Sequence, residues 1–198
     1  MKTLIRPFHP SDIPDLYNIC LKTGDNGNDA SHLYEDRYLI GDFYAVPYAI
    51  YQPELTFVLV KDGRPVGYIL AASDTAEFER WKSEEWFPPL REKYPKPDPE
   101  ATDMRNNMLR DIHKLEFKPF DVPGYPAHLH IDILPQGQGG GWGLKLMQTL
   151  WDQLRSMDVP GVHLGVGKAN ENAVGFYRHI GFKLLTEHQW GYTLGKKL

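Results

Sequence analysis

The tightest constraint on this chain lies between His128 and Leu154. There Leu129, Ile131 and Ile133 alternate with His128, His130 and Asp132, the period of a strand whose two faces differ. Five glycines then fall within the seven residues Gly137 to Gly143. Beyond them Met147, Leu150, Trp151 and Leu154 recur at helical spacing, which predicts an amphipathic helix. A strand, a turn nearly bare of side chains and a helix leave backbone N–H groups at a helix N-terminus. That end carries a partial positive charge and suits phosphate. Without Cβ atoms in the turn, a ligand can approach the backbone closely.

Two familiar phosphate loops do not fit. A P-loop needs Lys and Ser/Thr after its last glycine, but Gly143 is followed by Leu144. The dinucleotide fingerprint needs a glycine at Trp142 or Leu144. What does fit is Gln138-Gly139-Gly140-Gly141-Trp142-Gly143, a Gln/Arg-x-x-Gly-x-Gly/Ala pattern at a strand-to-helix turn. In this stretch the chain resembles the GNAT superfamily of N-acetyltransferases, in which such a loop holds the pyrophosphate of coenzyme A. Arg is commoner than Gln at the first position there.

A second segment carries the same resemblance. Asn170-Glu-Asn-Ala173-Val-Gly-Phe176-Tyr177-Arg-His-Ile-Gly181-Phe182 reads as Asn-x-x-Ala-x-x-Phe-Tyr-x-x-x-Gly-Phe, the other signature of that superfamily, downstream of the first. Asn170 is a good N-cap, and Ala173, Phe176, Tyr177 and Ile180 share one helix face. Gly181 suits the position just past the helix end, and Phe182 opens the next strand. On its residues alone, Phe176 reads as core packing.

The 198 residues, 41% hydrophobic and 13% aromatic, suit one packed domain spanning 1–198 with an insertion. A net charge of −4 argues against a nucleic-acid or anionic-membrane partner. One cysteine, Cys20, excludes an intramolecular disulfide and a cysteine-based zinc cluster; no His-x-x-x-His pair on a helix suggests a metal. No apolar run approaches membrane-spanning length and no signal-peptide hydrophobic region opens the chain, so a cytoplasmic protein is expected.

In chain order, Thr3 to Pro7 reads as a strand and Ser11 as the N-cap of a helix bearing Ile13, Leu16, Tyr17 and Cys20, ending near Gly24. A second helix is predicted over 30–40, and Pro47 and Pro53 are expected to break the aromatic run 43–51 into turns. Leu55–Lys61 and Pro65–Ala72 flank Asp62-Gly63-Arg64 as a hairpin. The resemblance implies the GNAT fold: α/β (α+β), a mixed and mostly antiparallel central sheet flanked by helices. Here about fifty residues, 75–125, intervene between the third and fourth strands, with helical patterns over 76–94 (broken at Pro88-Pro89) and 99–115. Lys118 to Pro126 then leads into the central strand. Within the insertion, Trp86-Phe-Pro-Pro-Leu-Arg-Glu-Lys-Tyr94-Pro-Lys-Pro97 is similar to a segment of the acetyltransferase-like domain of animal O-GlcNAcase. Ile5–Asp12 and Leu39–Asp42 are similar to it as well. That domain is described as a pseudo-acetyltransferase with a degenerate pyrophosphate loop, whereas Gln138–Gly143 is intact here.

The resemblance therefore implies acetyl-CoA as cofactor, bound by Ile133, Leu134, Gln138, Gly139, Gly140, Gly141, Trp142, Gly143, Asn170, Ala173, Phe176 and Tyr177. It implies acetyl transfer to a primary amine of unidentified identity by direct attack. Tyr177 takes the general-acid role that the superfamily's motif gives its tyrosine. For the base, Asp132 is preferred because it lies nearest the loop and matches an aspartate in the O-GlcNAcase domain; His130 and His128 share its face, and His163 is a weaker candidate. The competing expectation is an acetyl-CoA-binding or protein-interaction module without turnover.

Overall fold

The structure, a computed structural model, describes residues 2–115 and 121–198; residues 118–120 of the expected lead-in to the central strand lie outside these. Strands β1 (Thr3–Pro7), β2 (Thr56–Lys61), β3 (Arg64–Ala72), β4 (Ala127–Ile133), β5 (Gly161–Gly167), β6 (Lys183–Glu187) and β7 (Gly191–Lys197) form one sheet in the order β1-β2-β3-β4-β5-β7-β6. Every pairing is antiparallel except β4 with β5. The β2–β3 hairpin turns through Asp62 and Gly63, both at positive φ, as a two-residue loop of matching twist requires.

Strict alternation divides the sheet's side chains between two cores. Val58, Tyr68, Leu70 and Ala72 point to the side covered by α1 (Ile13–Thr23), α2 (Leu39–Tyr44), α3 (Val46–Tyr51) and the insertion. Leu59, Ile69, Ala71, Leu129 and Val162 point to the side covered by α7 (Trp142–Ser156) and α8 (Glu171–His179). Met147, Leu150, Trp151 and Leu154 of α7 are all buried there, as their spacing predicts.

Several local expectations are corrected. His9, rather than Ser11, makes the first cap: its ring accepts from the Ser11 N–H, while Asp12 accepts from the His9 N–H and pairs twice with Arg6 at 2.7 Å. The helix predicted over 30–40 is a series of turns until Leu39. Asp29 accepts from Ser31 N–H at 2.8 Å and Asp36 from Tyr38 N–H at 2.7 Å, local bonds that compete with helical ones. Pro47 does not break the aromatic run but sits in the first turn of α3, where no N–H is missed. Pro88 and Pro89 likewise begin α5 (Phe87–Lys93); the irregularity is upstream, a π-helical turn over Lys82–Trp86 between α4 (Thr75–Trp81) and α5. Helix α6 (Met104–His113) completes the insertion, shorter than its pattern suggested.

Candidate functional site

Strands β4 and β5 pair only at Ala127–Val162 and His128–His163. Beyond that point they part, and a cleft of about 950 Å³ opens between Leu129–Ile133 on one side and Gly165–Gly167 on the other. Nothing in the sequence signals where two parallel strands will separate.

The glycine turn closes one end of this cleft. After a short 3-10 turn at Pro135–Gly137, Gly139, Gly140 and Gly141 all take positive φ, and Gly141 caps α7 in the left-handed region. Such a run is open only to glycine at little cost. A Cβ built on Gly139 or Gly141 would meet nothing within 4 Å, so the space beside the α7 N-terminus is open to a ligand. The Gln138 side chain is engaged with its own turn, its Nε2 donating to the Ile133 carbonyl at 2.9 Å. It braces the loop instead of facing outward, where the motif's usual arginine would bring charge.

From the far wall, Asn170 caps α8 by accepting from the Ala173 N–H at 3.2 Å. Ala173, Phe176 and Tyr177 then line the cleft. Tyr177 is the buried one, and burial together with the Asp132 carboxylate pushes its hydroxyl pKa up. Phe176 is half-buried, with its ring tip 3.3 Å from where a Cβ on Gly143 would lie, so it is a wall of the cleft more than a core residue. Ile133, Gln138, Gly139, Gly141, Trp142 and Gly143 also line it. Leu134 does not: its side chain is buried in the core on the α1 side and its N–H donates to Val66 O at 2.8 Å. Gly140 shapes the turn without lining the cleft.

On β4, His128, His130 and Asp132 share the face toward α1 and the insertion, opposite Ala72, Leu70 and Tyr68 on β3. That register brings the Tyr68 hydroxyl to the Asp132 carboxylate at 2.7 Å. Asp132 lines the cleft; desolvation raises its pKa, against the opposing pull of the Tyr68 hydroxyl bond. The histidines are bound into a chain. His128 Nδ1 lies 2.9 Å from Thr75 Oγ1, its Nε2 lies 2.7 Å from the Tyr48 hydroxyl, and that hydroxyl lies 3.1 Å from His130 Nε2. Burial drives both histidines toward the neutral form, His130 to about 4, and the Lys82 ammonium adds to this. His163 on β5 is held at Nδ1 by the Tyr125 carbonyl, 2.8 Å away.

The insertion supplies one wall of a cavity that its helical patterns do not reveal. Its π-helical turn and α6, together with α2 and α3, wall this second cavity of about 480 Å³, which meets the cleft at Tyr44 and His130. Phe43, Tyr48 and Phe87 give it an aromatic lining; Glu79, Lys82 and Asp111 add charge. Lys82 is buried, bonded to Glu79 at 3.0 Å and lying over the Phe43 ring at 4.6 Å. In the aromatic run 43–51 the GNAT resemblance points to Tyr44, Tyr48 and Tyr51 as residues near an acceptor pocket, with aromatic packing as the alternative; Tyr44 and Tyr48 line this cavity, and Tyr51 packs on Phe78 and Trp81.

A sheet splayed beside a parallel pair, with a glycine turn feeding a helix N-terminus into the gap and a second capped helix facing it, defines an acyltransferase-type fold. The chain belongs to the Acetyltransferase (GNAT) family, whose family model matches residues 15–182. It is 33% identical to SsHAT, whose crystal structure superposes with a TM-score of 0.90 over 100% of this chain and 98% of that one. It is also 26% identical over 180 residues to Protein O-GlcNAcase of Rattus norvegicus. That match takes in 89% of this chain but 20% of the relative's length, so the chain corresponds to about a fifth of it. The fold is shared with the PaiA N-acetyltransferase of Thermoplasma acidophilum, solved in complex with coenzyme A, at 14% identity, full coverage of both chains and a TM-score of 0.61. Among the described residues no helix is long and apolar enough to cross a membrane.

Proposed function

We propose that this chain is a single-domain, cytoplasmic N-acetyltransferase that moves the acetyl group of acetyl-CoA onto a primary amine by direct attack. The family and the coenzyme A complexes of its structural neighbours support the cofactor. The observation that carries the rest is the meeting of Tyr177 and Asp132 on one cleft that ends in the open glycine turn. In this reading the pyrophosphate lies against the N–H groups of Gly139–Gly143, and pantetheine follows the edge of β4, Leu129–Ile133, that β5 leaves unpaired.

The amine loses a proton, its nitrogen attacks the thioester carbonyl, and the C–S bond breaks to release a CoA thiolate that must be protonated. Most of the rate comes from holding the reactants together, and an acid and a base each add roughly 10²- to 10⁴-fold. Asp132 is the base: desolvation makes it a stronger proton acceptor than a solvated carboxylate. Tyr177 is the acid: with its pKa raised it carries its proton until a thiolate forms beside it.

The test pairs calorimetry of CoA binding with a thiol-release assay over a panel of primary amines. Binding followed by amine-dependent thiol release is expected. Binding without release from any amine would support the module without turnover; no binding would remove the acetyltransfer reading altogether.

A further inference from the structure

The donor and acceptor at each hydrogen bond around β4 can be fixed one after another. The Thr75 hydroxyl lies 2.7 Å from the Pro126 carbonyl, which can only accept, so the Thr75 proton is committed there. His128 Nδ1, 2.9 Å from the same oxygen, must then donate to it. A neutral His128 has no proton left for Nε2, so the Tyr48 hydroxyl donates to that nitrogen at 2.7 Å. The Tyr48 oxygen therefore accepts from His130 Nε2 at 3.1 Å. What remains is His130 Nδ1, a bare lone pair without a partner among the described residues, on a residue that lines both the cleft and the aromatic cavity.

One position closer to the glycine turn on the same face stands Asp132, also acceptor-only when ionised. A primary amine has two N–H groups, and two acceptors can hold both while its lone pair points at a carbonyl. A secondary amine, an alcohol or a thiol can satisfy only one of them, leaving either His130 Nδ1 unpaired or Asp132 with its Tyr68 bond alone, at the cost of one hydrogen bond. We propose that the aromatic cavity walled by the insertion is the acceptor site, that it takes a small primary amine on an aromatic or apolar body, and that His130 Nδ1 and the Asp132 carboxylate hold the two N–H groups.

This deepens the acetyltransfer reading and rests on it. The volume and the rings of Phe43, Tyr44, Tyr48 and Phe87 suit such a body. The charges around His130 also suit a neutral nucleophile. Lys82 is a buried cation whose field already disfavours a second positive charge on His128 and His130, and it acts on an ammonium ion in the same sense. Opposing it are Glu79, which is paired with Lys82, and Asp111, whose carboxyl burial makes harder to ionise; Lys114 and the neutral His163 complete the set of titratable groups on the cavity wall.

The experiment uses the full chain with ¹⁵N-labelled histidine, saturated with CoA. Imidazole nitrogen shifts are expected to show His128 protonated at Nδ1 and His130 at Nε2. Titration with 2-phenylethylamine at alkaline pH should move the His130 Nδ1 signal. N-methyl-2-phenylethylamine should bind about tenfold more weakly, as for one lost hydrogen bond. Ser83→Trp, which fills the cavity from its wall, should weaken 2-phenylethylamine at least about tenfold and leave CoA affinity unchanged. The opposite His130 tautomer, equal binding of the two amines, no binding of either, or binding that survives Ser83→Trp would each overturn the proposal. Failure of CoA itself to bind would instead remove the acetyltransfer reading, and this proposal with it.

Discussion

Tyr177 separates two roles that one ring can play. Its hydroxyl accounts for little of the packing, since the ring lies among Phe176 and Phe182 with centroids 5.5 and 5.7 Å away. Tyr177→Phe should therefore leave Tm and CoA affinity near wild type while kcat falls ten- to roughly a thousand-fold, the range for a lost general acid. Unchanged turnover where chemistry limits the rate would make it a packing residue. The histidines also bear on stability. His130 has a folded pKa of about 4 against roughly 6.5 unfolded. Between those values the unfolded chain binds a proton that the folded chain refuses, so stability is full above about pH 6.5 and declines as pH falls toward 4. The loss is on the order of 2–3 kcal/mol for this group, and His128 acts in the same direction. Asp132 and Asp111, with raised pKa values, work the other way. Urea midpoints measured from pH 7 to 4 should fall, and fall less in His130→Asn. Of these residues, Tyr177 and Asp132 stand in motifs and alternation that a reader of the sequence can find. Tyr68, Tyr48 and Thr75 do not, because what they touch depends on strand register and on helices far away in the chain.

Among the elements, the strand–turn–helix unit was legible almost to the residue: the alternation of β4, the turn and α7 all fall where their periods put them. The site in the turn is a matter of backbone angle. At Gly141, φ is +74° and a Cβ would meet only open space, so Gly141→Val acts by straining the turn and by entering the ligand's volume. At least a tenfold loss of CoA affinity is expected by calorimetry, as for one or two lost bonds to a charged group at roughly 1.5–3 kcal/mol each. Unchanged affinity would move the ligand elsewhere. Phe176→Ala should cost less than the roughly 3–5 kcal/mol of a fully buried Phe, since that ring is half-exposed on the cleft, and chemical denaturation would measure it. Segment 30–40 has apolar residues at helical spacing, yet Leu33 and Tyr38 are exposed and Asp29 and Asp36 hold turns instead; periodicity says nothing of local competition from side chains.

At the scale of the whole molecule, the insertion is fastened through Asp42. Its buried carboxylate accepts from Lys93 at 2.7 Å and Tyr94 at 2.5 Å, and also from Tyr17 of α1, while its carbonyl accepts from Trp86 at 2.8 Å. Tyr17 apart, these groups lie in the very segments, 39–42 and 86–97, that resemble the O-GlcNAcase domain, which gives those residues a physical reason to occur together. Asp42→Ala would strand these donors and should lower stability by about 3 kcal/mol, read as a fall in Tm; a shift under a degree would show the insertion is held by packing alone. The two-residue contact between β4 and β5 has a different consequence. It makes the sheet two slabs, β1–β4 and β5–β7, joined by a short seam, so the protein is built with a crack along its middle. A ligand lying in that crack acts as mortar: it supplies the lateral cohesion that a full ladder would have given. Coenzyme A at a hundred times its Kd should add roughly 2.7 kcal/mol, or about 5–10 °C in Tm. The amides gaining the most protection from hydrogen exchange should be those of Leu129–Ile133 and Gly165–Gly167, the two torn edges, while the outer strands hardly change.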